Sequence, residues 1–211
     1  MRRTLCRKAR AARFRSVGGA QPPMANPRAW VRLPSGKRLD LLNPTPFDWE
    51  DKDLALGLAR TYRWGGHSAW PLPLSVAQHS LLVLALHRQR HKGTANAPAE
   101  LRELLHDADE GLLGFDCIKP FLGEAYRLLT ERLANAIALR YRLPPWTSAD
   151  RKAHRQADWV AAASEAVHVV GWTQSEVRNT LRIPYQGAFN GSIVRNLWRQ
   201  SLGAMGTASR A

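Results

Sequence analysis

Helix-start signals recur along most of the chain, and they constrain its fold more than any other feature. Ser75 and Gln78 form a capping box before VAQHSLLVLALHRQR, and Thr173 and Glu176 form another before VRNTLR. In such a box each side chain accepts a hydrogen bond from the other residue's backbone N–H. Further signals are Asp48 before WEDKDLALGLARTY, Pro98 before AELRELLHDADEGLL, and Thr147 or Ser148 before ADRKAHRQADWVAAASEAVHVV. The pattern predicts an all-α fold.

One segment ahead of these helices alternates like a strand. In WVRLPSGKRLDLLNP, apolar and polar residues alternate on either side of a Pro-Ser-Gly-Lys turn, which predicts a small β-hairpin from Trp30 to Leu42. A chain of 211 residues with 45% hydrophobic content can bury one core. We therefore expect a hairpin and linker over residues 24–45, a helical core over residues 46–172, and a C-terminal helix with a loose tail over residues 173–211.

The formal net charge of +14 at pH 7 is concentrated near the start of the chain. Residues 1–23 hold seven Arg and Lys residues and no acid, so we expect a disordered extension that contacts nucleic acid only weakly and nonspecifically. This segment has no apolar run long enough to span a membrane. Cys6 and Cys117 are the two cysteines, which offers no disulfide framework and suits a reducing cytoplasm.

Ionisable residues interrupt a leucine-rich segment at LLHDADEGLL. We expect one helix here, from about Ala99 to Leu112. His106 and Asp107 lie four and three residues before Glu110, so on a helix all three side chains project towards one side. Buried ionisable groups cost free energy unless they are paired or bound to a metal ion. The cluster therefore indicates a functional site.

Two residues on other predicted helices can join this cluster. His79 is followed by apolar residues at the spacing of a buried helix face, and Asp158 borders an apolar face in QADWVAAASEA. Taken alone, His79 could be a hydrogen-bonded core histidine and Asp158 an ordinary boundary acid. Together, two imidazoles and two carboxylates suit a divalent ion such as Mn, Co, Zn or Mg. We expect Asp109 to be solvated and His87 and His91 to lie on the surface.

These motifs resemble those of the HD-domain metal-dependent phosphohydrolases, and within them the branch of bacterial 5'-deoxynucleotidases. The resemblance covers roughly residues 28–170 and rests on SVAQHS, LLHDADE, GFD and QADWVAAASEA, which occur in the family's order. It implies an HD-domain helical bundle with one divalent ion that activates a water for attack on phosphorus. The implied metal ligands are His79, His106, Asp107 and Asp158. The resemblance also makes Glu110 the acid/base.

The resemblance implies residues for the substrate as well. Arg63 and Trp64 in TYRWGG match the family's Arg-Trp pair beside the nucleotide, where the planar Arg fork suits phosphate and Trp offers a flat wall. Core packing is an equal alternative for Trp64. His67 is a looser match that could reach the phosphate. Asp116 matches an Asp near the sugar, although Phe115 separates it from the preceding Gly.

The implied activity is release of phosphate from a (deoxy)nucleotide by a cytoplasmic enzyme. Three alternatives stay open: a deoxynucleoside triphosphate triphosphohydrolase on the same site, a non-catalytic nucleotide sensor, and a basic nucleic-acid-binding module. The expected partners are a nucleotide substrate and a second copy of the chain, because such enzymes often form homodimers. No membrane association is expected.

Overall fold

The computed structural model describes residues 29–91, 96–118 and 122–182. This part of the chain is mostly helical, with a small two-stranded antiparallel hairpin at its start, so the prediction of an all-α fold with a hairpin is confirmed. The extension predicted over residues 1–23 and the tail after residue 182 lie outside the described residues. Of the helices described, none has both the length and the apolar content needed to cross a bilayer.

The hairpin consists of β1 (Trp30–Arg32) and β2 (Arg38–Asp40). Val31 pairs with Leu39, and Gly36 in the connecting turn has φ +89°, which glycine adopts without steric cost. Leu39 has no exposed surface and packs in the main core. The predicted hairpin is therefore confirmed, and its inward face attaches it to the helices.

The described residues contain seven α-helices. They are α1 (Asp51–Arg60), α2 (Val76–Arg90), α3 (Ala97–Leu104), α4 (Ala108–Leu113), α5 (Gly123–Tyr141), α6 (Ser148–Glu165) and α7 (Gln174–Leu181). A 3-10 turn (Arg63–Gly66) lies between α1 and α2, and a π-helical turn (Ala166–Val170) follows α6. The capping boxes predicted at Ser75 and Thr173 are present, and Thr147 caps α6.

Helix α1 begins later than its sequence indicates. Its N-cap is Glu50, whose backbone N–H donates to the Asp53 carboxylate over 2.9 Å. The prediction that Asp48 caps this helix is wrong. The Asp48 carboxylate instead accepts hydrogen bonds from the hydroxyl and the backbone N–H of Thr45. It therefore closes the loop before the helix and does not reach the first turn.

The predicted helix from Ala99 to Leu112 is divided in two. Helix α3 ends before a turn over residues 105–107, and α4 starts after it with Asp107 as its N-cap. Adjacent side chains on a continuous helix point about 100° apart. The break frees His106 and Asp107 from that constraint, and both can face the same point.

The core is made of three contiguous clusters that share helices. The main cluster joins the hairpin to α1, α2, α4 and α5, the second joins α2 to α6, and the third joins the end of α6 to α7. The largest fully buried side chains of the main cluster are Trp49, Leu39, Leu133 and Val76. Helix α2 belongs to both larger clusters. It therefore lies at the centre of the fold and carries His79 there.

Helices α1 and α4 approach each other through two glycines. A Cβ on Gly57 would lie 2.0 Å from the carbonyl oxygen of Gly111, and a Cβ on Gly111 would lie 2.7 Å from the Leu58 side chain. A methyl group at Gly57 therefore cannot fit without moving backbone atoms. This contact fixes the position of α4, the helix that contains Glu110 and starts directly after Asp107.

Candidate metal centre

His79 lies in α2 with no exposed surface. Its Nδ1 is 2.6 Å from Oε1 of Glu165, an equally buried carboxylate at the end of α6. An ionised carboxylate can only accept a hydrogen bond, so Nδ1 of His79 donates to it. In the neutral imidazole this leaves the lone pair on Nε2, the atom that a metal ion would bind.

His106 is held in the same tautomer by the turn after α3. Its Nδ1 donates to the backbone carbonyl oxygen of Glu103 over 2.8 Å, and its Nε2 lies 3.2 Å from Nε2 of His79. Two nitrogen lone pairs at this distance repel each other unless a proton or a metal ion lies between them. The supporting hydrogen bonds on both Nδ1 atoms are typical of metal-binding histidines.

Asp107 completes a tight group of three metal-ligating side chains. Its Oδ2 lies 3.0 Å from Nε2 of His106 and 3.6 Å from Nε2 of His79. The ligand atoms of these three residues all lie within 4.8 Å of one another. Two imidazole nitrogens with a carboxylate oxygen suit a divalent transition metal. The predicted convergence of His79, His106 and Asp107 into a group that could hold a metal ion is thus confirmed.

Asp158 approaches this group from α6. Its Oδ1 lies 3.2 Å from Nε2 of His79, and its side chain is 34% exposed, the highest value among the four predicted ligands. Burial raises the pKa of Asp158, but the hydrogen bond and the charge of His79 lower it overall. The carboxylate is therefore ionised and placed where it could add a fourth ligand oxygen.

The carboxylates around His79 stabilise a positive charge at this point. Burial by itself lowers the pKa of His79, but the Glu165 carboxylate and the hydrogen bonds to Asp158 and Glu165 raise it to about 9. Burial raises the pKa of Glu165, but the charges of His79 and Arg63 lower it to about 2. A proton on His79 and a divalent ion are therefore alternative ways to satisfy the same carboxylates.

Because a proton and a metal ion compete for Nε2 of His79, metal affinity should rise with pH. The raised pKa of about 9 means that binding releases a proton at neutral pH. We expect the association constant for Mn²⁺ to increase by up to about tenfold per unit from pH 6.5 to 8.5. Isothermal titration calorimetry in buffers of different ionisation enthalpy would measure both affinity and proton release, and a pH-independent affinity would contradict the competition.

The 3-10 turn between α1 and α2 brings Arg63 and Trp64 to the buried carboxylate of Glu165, which also accepts the hydrogen bond from His79. Nε of Arg63 and Nε1 of Trp64 lie 3.4 Å and 3.1 Å from Oε2 of Glu165. Trp64 has φ +58°, in the left-handed region that residues other than glycine rarely adopt. Its ring also packs edge-on against Trp172, with centroids 5.6 Å apart. Trp64 therefore belongs both to the site and to the packing of α7.

The remaining predicted substrate residues differ in their distance from the centre. Asp116 lies 3.8 Å from Nη1 of Arg63, and burial raises its pKa although Arg63 opposes this. His67 is exposed at the end of the turn, where its backbone N–H donates to the carbonyl of Trp64. Among the described residues, no hydrogen bond or ion pair joins the His67 side chain to the metal centre. The structure thus brings Asp116 to the site and leaves His67 at its edge.

Glu110 is buried in α4, one turn beyond Asp107, with 1% of its surface exposed. Its charge acts on Arg63, whose pKa is raised by Glu165, Asp107, Asp116 and Glu110 against the effect of burial. Glu110 is therefore a buried acid of the helix that starts directly after Asp107, and it contributes to the negative charge around Arg63.

Glu165 is the residue of this site to which the sequence motifs give no role. It follows Asp158 by seven residues, which is two helical turns on the same face of α6. An acid at that spacing from a candidate ligand, within the alanine-rich segment AAASEA, was the available signal. Its full burial follows from the packing of α6 against α2, which the sequence pattern does not specify.

Two expectations about neighbouring residues are wrong. Asp109 is 8% exposed, so it is buried and not solvated. It lines a cavity of about 710 Å³, together with His106 and Trp146, on the α5 side of the site. His87 is largely covered and lies 3.6 Å from the buried carboxylate of Glu103, whereas His91 is exposed as predicted. The interior is therefore richer in charge than the sequence pattern indicates.

Comparison with known proteins gives one clear relationship. No protein-family model matches the chain. The chain is 43% identical over 153 residues to the uncharacterized protein RCAP_rcc00048 of Rhodobacter capsulatus, and the matched region covers 71% of this chain and 77% of that protein. Identity at this level over most of both chains indicates common descent and a shared fold. The chain therefore belongs to the same protein family as this Rhodobacter capsulatus protein.

Proposed function

We propose that the protein is a metal-dependent phosphohydrolase of the HD-domain type that releases phosphate from (deoxy)nucleotides, as 5'-deoxynucleotidases do. The observation that carries this proposal is the convergence of two Nε2 atoms and the Asp107 carboxylate beside the partly buried guanidinium of Arg63. A structural ion alone would not need the Arg63 guanidinium 3.8 Å from one of its candidate ligands. This fixed positive charge favours a site that handles an anionic substrate.

The donor set supports one divalent ion, held by His79, His106, Asp107 and Asp158. When bound, such an ion would supply an activated water and neutralise charge on the phosphoryl oxygens. The two histidines would offer Nε2, because Glu165 and the Glu103 carbonyl occupy their Nδ1 atoms. As the pH rises, His79 loses its proton more easily, and a divalent ion can take its place between the carboxylates.

Arg63 is the residue that we assign to the phosphate. Its guanidinium lies 3.8 Å from both Asp107 and Asp116, beyond the length of a good hydrogen bond. These ion pairs place the charge near the centre and leave hydrogen-bonding capacity for phosphate oxygens. The neighbouring carboxylates raise the pKa of Arg63, so it keeps its charge.

Glu110 is the residue that we assign to proton transfer. It is shielded from solvent in α4, the helix that starts directly after Asp107, and its charge helps to raise the pKa of Arg63. A carboxyl group in such a place can accept a proton from the attacking water or give one to the leaving oxygen. The glycine contact between α1 and α4 fixes the helix on which it lies.

The test is a screen of deoxy- and ribonucleoside mono- and triphosphates with Mn²⁺, Co²⁺, Mg²⁺ and Zn²⁺. Metal-dependent release of phosphate from a monophosphate is the expected result. Release of triphosphate from a deoxynucleoside triphosphate would show instead that the enzyme is a triphosphohydrolase. Binding of nucleotides without any turnover would favour a sensor instead.

Replacing Glu110 with alanine should lower kcat by roughly 10²–10⁴-fold while metal and nucleotide still bind, because only proton transfer is lost.

Replacing Arg63 with alanine should raise KM and lower kcat/KM, since a contact to phosphate that is present in both the ground state and the transition state disappears. Steady-state kinetics with calorimetric binding would separate the two. The matched control is Glu124→Ala in the exposed first turn of α5, where Glu124 pairs with Arg127 at the surface. It should leave kcat and KM unchanged. Full activity in Glu110→Ala would remove Glu110 from the mechanism.

A further inference from the structure

Glu165 stands at the junction of two parts of the site. Its Oε1 accepts the hydrogen bond from Nδ1 of His79, and its Oε2 accepts those from Arg63 and Trp64. It is fully buried, and it is the last residue of α6 before the π-helical turn. A single carboxylate therefore serves a metal ligand with one oxygen and the substrate-binding turn with the other.

We infer that Glu165 is a positioning residue that couples metal binding at His79 to nucleotide binding by Arg63 and Trp64. The nucleotide half of this inference rests on the proposed function, whereas the metal half does not. Any such coupling is reciprocal, so bound metal should tighten nucleotide binding by the factor by which nucleotide tightens metal binding.

The metal half of the coupling operates through the tautomer of His79. As long as Glu165 is an ionised carboxylate, Nδ1 of His79 must donate to it, and Nε2 stays available as a ligand. The 2.6 Å distance is typical of a strong, charge-assisted hydrogen bond. This bond also fixes the plane of the imidazole ring, so that Nε2 points towards Nε2 of His106.

The nucleotide half operates through the shape of the turn. Trp64 adopts a left-handed backbone conformation that costs free energy in a residue with a side chain. Its indole N–H bond to Glu165 and its packing against Trp172 offset this cost. The same carboxylate oxygen is 3.4 Å from Nε of Arg63, so it also sets the direction of the guanidinium.

Glutamine at position 165 would preserve the volume of the side chain and disrupt this arrangement, because an amide has one acceptor oxygen and one donor nitrogen. If the amide oxygen faces His79, the NH₂ group faces the donors of Arg63 and Trp64. If the NH₂ group faces His79, Nδ1 must accept and the proton of the neutral ring moves to Nε2, where it blocks metal binding. In the first orientation a neutral amide oxygen replaces a charged acceptor, so the hydrogen bond that holds Nδ1 of His79 also weakens. Both orientations should therefore weaken metal binding, and the first also removes the acceptor for Arg63 and Trp64.

The experiment compares wild type, Glu165→Gln, Glu165→Asp and the exposed control Glu124→Gln by calorimetric titration with Mn²⁺ alone. Deoxyadenosine 5'-monophosphate is then titrated with and without Mn²⁺ in a Glu110→Ala background, in which turnover should be slow enough for binding to be measured. In Glu165→Gln we expect Mn²⁺ affinity to fall by about 10- to 100-fold, the usual effect of removing a partner of a metal-binding histidine. The gain in nucleotide affinity on adding Mn²⁺ should shrink with it.

Glu165→Asp keeps two acceptor oxygens on a shorter side chain, so its Mn²⁺ affinity should lie between those of wild type and Glu165→Gln. This variant decides the matter by itself if Glu165→Gln does not fold. Mn²⁺ binding as tight as in wild type, in either variant, would overturn the inference. If the wild type binds no nucleotide, the proposed function fails, and the Mn²⁺ affinities still test the role of Glu165.

Discussion

Replacing Asp107 with alanine should lower metal affinity by at least about 100-fold and abolish metal-dependent turnover. Asp107 is the carboxylate of the tight group, with Oδ2 3.0 Å and 3.6 Å from the two histidine Nε2 atoms. Loss of a direct ligand should exceed the effect of losing a supporting hydrogen bond, which is about 10- to 100-fold. Titration with Mn²⁺ and metal analysis of the purified variant would measure the loss.

The matched control for Asp107→Ala is Asp109→Ala. The two acids are in or next to the same short helix and are almost equally buried, with 7% and 8% of their surfaces exposed. Only Asp107 belongs to the group of three metal-ligating side chains. Asp109→Ala should therefore retain stoichiometric Mn²⁺ even if it unfolds at a lower temperature. Stoichiometric metal in Asp107→Ala would show that the ligands lie elsewhere.

Replacing Gly57 with alanine should destabilise the protein by roughly 1–3 kcal/mol, the usual range for overpacking a close contact. Helix propensity alone predicts the opposite sign, because alanine stabilises an exposed helix interior by about 1 kcal/mol relative to glycine. The new Cβ would lie 2.0 Å from the Gly111 carbonyl oxygen, so α1 and α4 must move apart. Urea unfolding would measure the change in the free energy of unfolding.

The control for Gly57→Ala is Ala59→Gly, the reverse change at an exposed position of the same helix. It should cost no more than about 1 kcal/mol and leave the metal affinity unaltered. Gly57→Ala should weaken metal binding as well, since α4 begins directly after Asp107. An unchanged or higher free energy of unfolding in Gly57→Ala would show that α1 and α4 adjust without cost.

Those parts of the fold that depend on local signals could be predicted from the sequence. A capping box is a contact between residues three positions apart, and those at Ser75 and Thr173 mark the starts of α2 and α7 correctly. The place of His79 follows from the apolar spacing of α2, whereas His106 and Asp107 reach it from the turn between α3 and α4.

The errors occur where distant residues decide the local structure. In LLHDADEGLL the leucine, alanine and glutamate residues favour a continuous helix, whereas His106, Asp107 and Asp109 favour it less. These opposing propensities do not by themselves decide whether the helix breaks. After the break, α4 is in close contact with α1 through Gly57 and Gly111, and Gly57 lies far from the break in the sequence. The role of Glu165 likewise depends on His79, 86 residues away along the chain.

The close approach of Gly57 and Gly111 has a consequence for finding related chains. Site residues alone make a poor search pattern, since histidine and aspartate occur together in many unrelated proteins. A pattern that also demands glycine at both contact positions, and an acid seven residues after the α6 aspartate, describes how this chain positions its candidate ligands. Sequences that satisfy all of these conditions can be collected as candidates for the same chemistry, and those with a larger residue at either glycine can be set aside.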